Sequence, residues 1–427
     1  MQSSKGWDTS YEWKAVLLLT IGFGLVGLDR WILPPLFPAM MKDLNLNYQD
    51  LGNLVGALGI AWGVSAIFMG GLSDRIGRRK VLIPAVLLFS LLSAFSGMAT
   101  SLVSLLMIRM VMGVAEGAVA PTGVAVAVEA SHPKRRGMNN GVFQCAFALF
   151  GLAVAPILAT QLLQLTSWRN VFLIVGIPGL IVAILMWFTI REPVTVTQAG
   201  HGDVRRAPFK EMFKHRNVVL AMLGLLCAMT GVFVLSAVMP NYLVDYLKLT
   251  TPQMGFVTSA IGFGGFLGQF GVPTLSDFLG RRLSTVLSFV LAAIFLWVFM
   301  RTGANLPVLF GLLFFAALFN FGALALLAGP IAAEAAPIGL ISSVAGIVIG
   351  AGEIFGGGFA PVIAGGIAQN YGLQYTLVFA FTGQVVGIVV AFFLVETAPR
   401  KSRGKSSEVS DLDRYEETHP EGVTSAK

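Results

Sequence analysis

Five ionisable residues interrupt long apolar runs, and their spacing is suggestive. Asp29 and Arg30 stand side by side in the first run, within G-L-D-R-W. Arg109 and Glu116 share the fourth run, and Glu353 sits in the eleventh, within G-A-G-E-I-F-G-G-G. A charge near the centre of a bilayer is costly, so each such residue is a functional candidate from the outset. Arg109 and Glu116 are two helical turns apart and project from one face, about 10 Å apart along the axis. Asp29 and Arg30 are adjacent, so their side chains diverge by about 100°. The economical arrangement crosses the two helices, with Asp29 against Arg109 and Glu116 near Arg30. A carboxylate beside an arginine in a low-dielectric cavity feels opposed influences and can exchange a proton. An arginine there stays charged and binds a carboxylate bidentately. If an anion competes with Asp29 or Glu116 for the arginine, protonating the acid frees the guanidinium. Anion and proton then travel together. The competing reading is a set of structural ion pairs that fix helix packing. Four charges in two runs exceed what packing needs, which favours the chemical reading.

Glu353 has no arginine in its own run. It reads as a second proton site, a hydrogen-bonding partner for a substrate, or a gating residue. Gln144 in run five and Asn320 in run ten are either binding residues or interhelical amide glue. Trp31, next to Arg30, either stacks on a bound molecule or packs against a neighbouring helix.

The elements that must position these groups follow from composition. The chain of 427 residues is 56% hydrophobic and 12% charged, with a mean hydropathy of +0.78. A soluble protein carries about 25% charged residues, so this chain is a polytopic membrane protein. On a ruler of about 20 residues per crossing, twelve runs appear. They are 14–40, 51–72, 80–99, 102–128, 138–164, 170–190, 217–243, 253–275, 283–302, 306–332, 340–368 and 372–396. The organisation is then an N-terminal segment 1–13, a six-helix bundle 14–190, a central loop 191–216, a second six-helix bundle 217–396 and a disordered tail 397–427.

Alternate loops carry the basic residues, among them Arg75, Arg78, Arg79 and Lys80, then Lys134, Arg135 and Arg136, then Arg281 and Arg282. By the positive-inside rule these loops, and both termini, are cytoplasmic. The N-terminus has no signal-peptide character. The net charge of +7 is spread through these short loops and is no nucleic-acid signal. His132, His201, His215 and His419 all lie outside the runs, which argues against an intramembrane hydrolase or a metal centre. There is no Walker-type glycine loop, so ATP is not the driver. No cofactor is expected, and no metal.

The chain also repeats itself. L-S-D-x-x-G-R-R occurs at Leu72–Arg79 and again at Leu275–Arg282, an offset of 203 residues. Gly151–Pro156 echoes Gly356–Pro361 at a similar offset. Under this repeat Asn320 takes the place of Glu116. Parallel repeats related by an axis along the membrane normal are a transporter plan, with the site between the halves at mid-membrane. In the loops, Asp74, Arg75 and Arg78, with Asp277 and Arg281 in the second copy, read as a gate whose ion pairs hold one conformation closed. The second copy has Phe278 where the first has Arg75.

The loop signature, met by Gly70, Asp74, Arg75, Gly77, Arg78 and Arg79, resembles that of the major facilitator superfamily. That resemblance implies an all-α membrane fold of twelve helices in two six-helix bundles related by a pseudo-two-fold axis. More narrowly, the Asp29-Arg30 pair followed by Arg109 and Glu116, with A-E-G-A-V-A-P and W-R-N-V-F-L-I-V-G-I-P-G-L, is similar to the anion:cation symporter family. That implies a proton-coupled importer of a small organic anion such as a sugar acid or aromatic carboxylate. Asp29 and Glu116 would couple protons, and Arg30, with Arg109, would bind the anion. The spinster-like family, with an Asp-Arg pair and a G-x-G-E-A stretch, is the rival and implies lipid or drug transport. The expected partners are the anion, protons and the bilayer, and the expected working unit is a monomer in a bacterial inner membrane.

Overall fold

The computed structural model describes residues 7–192, 209–336 and 341–398. Most of the expected central loop and tail lies outside the described residues. Among the described residues, twelve helices are long and apolar enough to cross a membrane. In the first half these are α1 (Thr9–Leu44), α2 (Tyr48–Ser73), α3 (Arg78–Ser96), α4 (Leu102–Ala130), α5 (Arg136–Leu165) and α6 (Trp168–Thr189). In the second half they are α7 (Arg216–Tyr246), α8 (Thr251–Leu279), α9 (Arg281–Met300), α10 (Leu306–Glu334), α11 (Val344–Tyr371) and α12 (Leu373–Phe392).

Local chemistry sets the helix ends. The Asp8 carboxylate accepts from the Tyr11 amide and starts α1 before its apolar run begins. Pro34 and Pro35 lack amide protons, and the helix steps at Ile32 before continuing to Leu44. Asn47 and Ser101 close capping boxes at the heads of α2 and α4. Gly77 and Gly280 turn the chain between α2 and α3 and between α8 and α9, at φ of +111° and +100°. Only glycine takes that conformation without strain.

Within the first half α2 packs on α4, α3 on α6 and α1 on α5. Within the second half α8 packs on α10, α9 on α10 and α7 on α12. The halves meet through α2 against α11 and α5 against α8, the pairing a two-fold relation demands. These seams are close backbone contacts. A Cβ on Gly52 would stand 2.4 Å from the Pro361 carbonyl, and one on Gly59 would stand 2.4 Å from that of Gly357. A Cβ on Gly262 would meet the Ala153 amide at 1.9 Å. Small residues drive helix association in lipid because they let backbones approach.

The seam is tightest at the end away from the basic loops. There the Tyr48 hydroxyl donates to Asp245 at 3.0 Å and the Gln49 amide donates to the Val362 carbonyl at 3.1 Å. Towards the basic end the spacing relaxes. Nothing would meet a Cβ on Gly71, Gly271 or Gly346 within 4 Å.

Candidate functional site

Glycines bring the charged residues to the centre. In α1, a Cβ on Gly27 would lie 2.4 Å from the Phe147 carbonyl of α5. In α4, Cβ atoms on Gly113 and Gly117 would lie 2.5 and 2.4 Å from the Leu58 and Trp62 carbonyls of α2. With α1, α2, α4 and α5 this close, Asp29, Arg30, Arg109 and Glu116 are all buried, none more than 4% exposed.

The Arg30 guanidinium reaches across the seam. Its Nη2 donates to Glu353 Oε2 at 3.1 Å, an ion pair linking α1 of one half to α11 of the other. Four aromatic rings surround the same guanidinium: Phe233 at 4.7 Å, Trp62 at 5.5 Å, Trp31 at 5.9 Å and Phe147 at 6.0 Å. Glu353 lies in a π-helical stretch, Gly352–Phe359, a local widening that often marks functional positions. α5 carries a matching stretch at Leu149–Val154, beside Gly27.

Asp29 stands near Arg109 and Glu116 near Arg30, as the crossing predicts, but neither carboxylate closes an ion pair with its arginine. Arg109 Nη1 donates to the backbone carbonyl of Asp29 at 3.2 Å, not to its carboxylate. The Asp29 carboxylate instead accepts from the Ser93 hydroxyl at 2.8 Å. Glu116 forms no ion pair with Arg30, and both its carboxylate oxygens are buried without a hydrogen-bond partner among the described residues. The rotation of α1 decides this: it turns Arg30 towards α11 and Asp29 towards α3. Arg30 Nε and Nη1 and Arg109 Nε and Nη2 are likewise without hydrogen-bond partners there. A small cavity of about 10 Å³, lined by Arg30, Leu33, Leu54, Val55, Leu58 and Arg109, adjoins them. That is about the room of one water.

The other sequence candidates are distributed as follows. Trp31 is buried and packs against Phe233 of α7 at 5.3 Å, the helix-packing alternative. Gln144 is exposed, one turn from Gly141, which faces Phe270 of the other half. Asn320 is buried, and its hydrogen-bond partners lie within the second half. With its amide turned to satisfy both ends, it accepts from Gln384 Nε2 at 3.0 Å and donates to the Ala228 carbonyl at 3.3 Å, tying α10 to α12 and α7. Trp62 and Phe147, beside Arg30, escaped the sequence reading, and so did two further residues. Ser93 is one, although Ser90, Ser93 and Ser96 recur every three residues and all are buried. Phe233 is the other, hidden among 32 phenylalanines.

The gate residues form pairs within each half. Arg78 bonds Glu129 at 3.2 Å and the Ser73 hydroxyl at 3.0 Å. Arg281 bonds Glu334 at 2.9 Å, Asp277 at 2.7 Å and the Ser276 hydroxyl. Glu192 accepts from the backbone amides of Arg78 and Arg79, and Glu396 from those of Arg281 and Arg282. A carboxylate at a helix N-terminus is favoured by the helix dipole. Arg75 is exposed, and the Asp74 side chain lies outside the described residues.

The sequence model of the Major Facilitator Superfamily matches residues 19–242 and 221–422. The chain belongs to that superfamily. It is a multi-pass membrane transporter and not an enzyme. It is 27% identical to a putative metabolite transport protein of Haemophilus influenzae, over 90% of this chain and 96% of that one. It is 25% identical to the D-galactonate transporter of Escherichia coli over 84% of this chain and 90% of that one. It is also 25% identical to a 4-hydroxybenzoate transporter of Pseudomonas aeruginosa, over 67% and 71%. Among solved structures, a bacterial homolog of the human lysosomal transporter Spinster, inward-facing and occupied, superposes with a TM-score of 0.74. That match covers 91% of this chain and 97% of the other at 18% identity, a likeness of fold.

Proposed function

We propose that this transporter imports a small organic anion, a sugar acid or an aromatic carboxylate, together with protons by alternating access. The observation that carries the proposal is the buried ion pair between Arg30 and Glu353, which spans the two halves. Glu353 presents to Arg30 the same group a carboxylate substrate would present. An incoming carboxylate takes the fork of Arg30 and displaces Glu353. The displaced acid, buried and unpaired, is then stabilised by a proton. The seam between the halves loses its ion pair and is free to rearrange. Three acids, Asp29, Glu116 and Glu353, stand against two arginines in this core. One proton neutralises the set, and a bound monoanion calls for another. This supports coupling through Asp29, Glu116 and Glu353, with Arg30 and Arg109 as anion ligands.

The rings around Arg30 give an apolar wall against which a benzoate ring or a sugar face can lie. The relatives that carry galactonate and 4-hydroxybenzoate fit this substrate class. Gln144, on the more open side, is the polar lining residue, and Trp31 holds the floor. Asn320 fixes the shape of the second half. The basic loops face the cytoplasm of a bacterial inner membrane, so the tight end faces outward and the described state leans inward. In the loops Asp74, Arg75, Arg78, Asp277 and Arg281 act as the gate, whose ion pairs hold one conformation closed and break in the other, and the chain works as a monomer. The spinster-like reading, lipid or drug transport, draws support from the fold likeness alone.

The test is uptake into proteoliposomes under an imposed inward proton gradient, with hexonates, hexuronates and aromatic acids as the panel. One acid accumulates and the accumulation collapses with the gradient. Movement of a lysolipid or a cationic drug, with no anion moved, would replace this reading with the spinster-like one.

A further inference from the structure

On the basic face, away from the central site, the heads of α1 and α3 and the end of α6 enclose a cavity of about 310 Å³. That is at the lower end of the range for small-ligand pockets, roughly 300–1,000 Å³. Its cations are Lys14, Arg79 and Arg191, and its one acid is Asp8. Ser10, Tyr11 and Thr189 add hydroxyls.

The charges in it are unevenly spent. Asp8 pairs with Arg191 at 3.0 Å and accepts from the Tyr11 amide at 3.0 Å. The Tyr11 amide and Arg191 hold its carboxyl below the usual range, so it stays ionised. Arg191 also lies over the Tyr11 ring at 4.5 Å. Glu192, the nearest other acid, is engaged with the backbone amides of Arg78 and Arg79. Lys14 lies near enough to Asp8 to help hold it ionised, but neither Lys14 nor Arg79 closes an ion pair among the described residues. The Arg79 guanidinium is steered by the Trp187 carbonyl and ring, not by an acid. The Tyr11 hydroxyl accepts from the Arg191 amide at 3.2 Å, so its own proton is available to an incoming acceptor.

The position of the cavity selects its occupant. It opens where three spans end, level with Trp13, Trp187 and Phe188, which are 49%, 58% and 82% exposed. Exposed aromatics at helix ends mark the headgroup level of a bilayer. Basic pockets between spans on this face suit anionic headgroups.

We propose that this cavity binds the phosphodiester of an anionic phospholipid, held by Lys14 and Arg79 with the Tyr11 hydroxyl donating and the acyl chains lying along Phe188. Lys14 supplies a point charge and Arg79 a fork, the two donor geometries that phosphate oxygens accept. The site ties α1, the helix that carries Asp29 and Arg30, to the bilayer surface.

The full-length protein in bilayer discs of equimolar phosphatidylglycerol and phosphatidylcholine, released for native mass spectrometry, tests this. The parent retains phosphatidylglycerol preferentially. The exposed Lys14→Gln variant, and the double variant with Arg79→Gln, lower that preference, the double by about tenfold. Arg282→Gln, an exposed cation on the same face of the other half, leaves it unchanged. Equal retention by parent and double variant overturns the proposal. So does an equal loss in Arg282→Gln, which would mean diffuse attraction to the whole basic face. Displacement of the lipid by millimolar glycerol phosphate, with binding of that phosphate in the absence of lipid, assigns the pocket to a free phosphate and also overturns it.

Discussion

In the first half of the molecule the centre is built from charge: Asp29, Arg30, Arg109 and Glu116, all buried. In the second half the corresponding depth holds amides, Asn320 with Gln384, and a single acid, Glu353. The two halves otherwise copy one another closely. Each turns its second loop on a positive-φ glycine, caps the following helix with a distant glutamate, and clamps the loop arginine to an acid of the next span but one. What the copies share is the loop architecture. What has diverged is the chemistry at the centre. The first half holds four buried charges, and the second holds amides and one counter-charge.

The largest way to break this contrast is at Arg30. Arg30→Gln leaves Glu353 unpaired across the seam and removes the anion fork. Uptake in proteoliposomes should fall by about 100-fold or more, since breaking a buried pair costs about 3–5 kcal/mol. Near-normal uptake would remove Arg30 from the mechanism. Next come the two positions the repeat makes equivalent. Glu116→Gln should abolish accumulation above equilibrium while substrate exchange persists. Asn320→Ala should leave accumulation coupled to the proton gradient and act on stability, by about 1–3 kcal/mol, through the amide partners it strands. Melting temperature and gradient-driven uptake read on both variants separate the two roles. Loss of coupling in Asn320→Ala would mean that the halves share the chemistry.

The smallest expected effect concerns the tight end. Tyr48→Phe deletes the bond to Asp245 and should favour opening there by about 0.5–1.5 kcal/mol. A cysteine placed at Leu54, which lines the small central cavity, reports it. Its labelling by a membrane-impermeant thiol reagent from outside should rise a few-fold, against native cysteines that are both buried. Unchanged labelling would mean that the glycine seam alone sets the closure.

Much of the fold is legible in the sequence because a bilayer allows few solutions: apolar runs of sufficient length have to be helices. The charged residues at the centre are legible for the same reason, since nothing else ionisable interrupts those runs. Their partners are not. Arg30 and Glu353 are 323 residues apart, and their meeting depends on the rotation of two helices about their axes. A shift of one residue in either would send Arg30 towards another wall. Ser93 is missed because a serine in an apolar helix usually bonds its own backbone, as Ser90 does with Val86. The loop signature is visible in both copies, but the acids that answer it, Glu129 and Glu192, then Glu334 and Glu396, come from distant spans. Spacing alone does not name them.

The glycine seam between α2 and α11 has a consequence for how such a transporter can be caught in the act. Gly52, Gly56 and Gly59 meet carbonyl oxygens of Pro361, Gly358 and Gly357, each within 2.6 Å of where a methyl group would sit. Such surfaces interlock side chains at few points, Val362 on Gly56 and Ile60 on Gly358 among them. They also have no slack. An alanine at any of these rungs should act as a wedge against the conformation in which the ends remote from the basic loops meet. The seam therefore offers a way to bias the population towards the opposite state by a single methyl group.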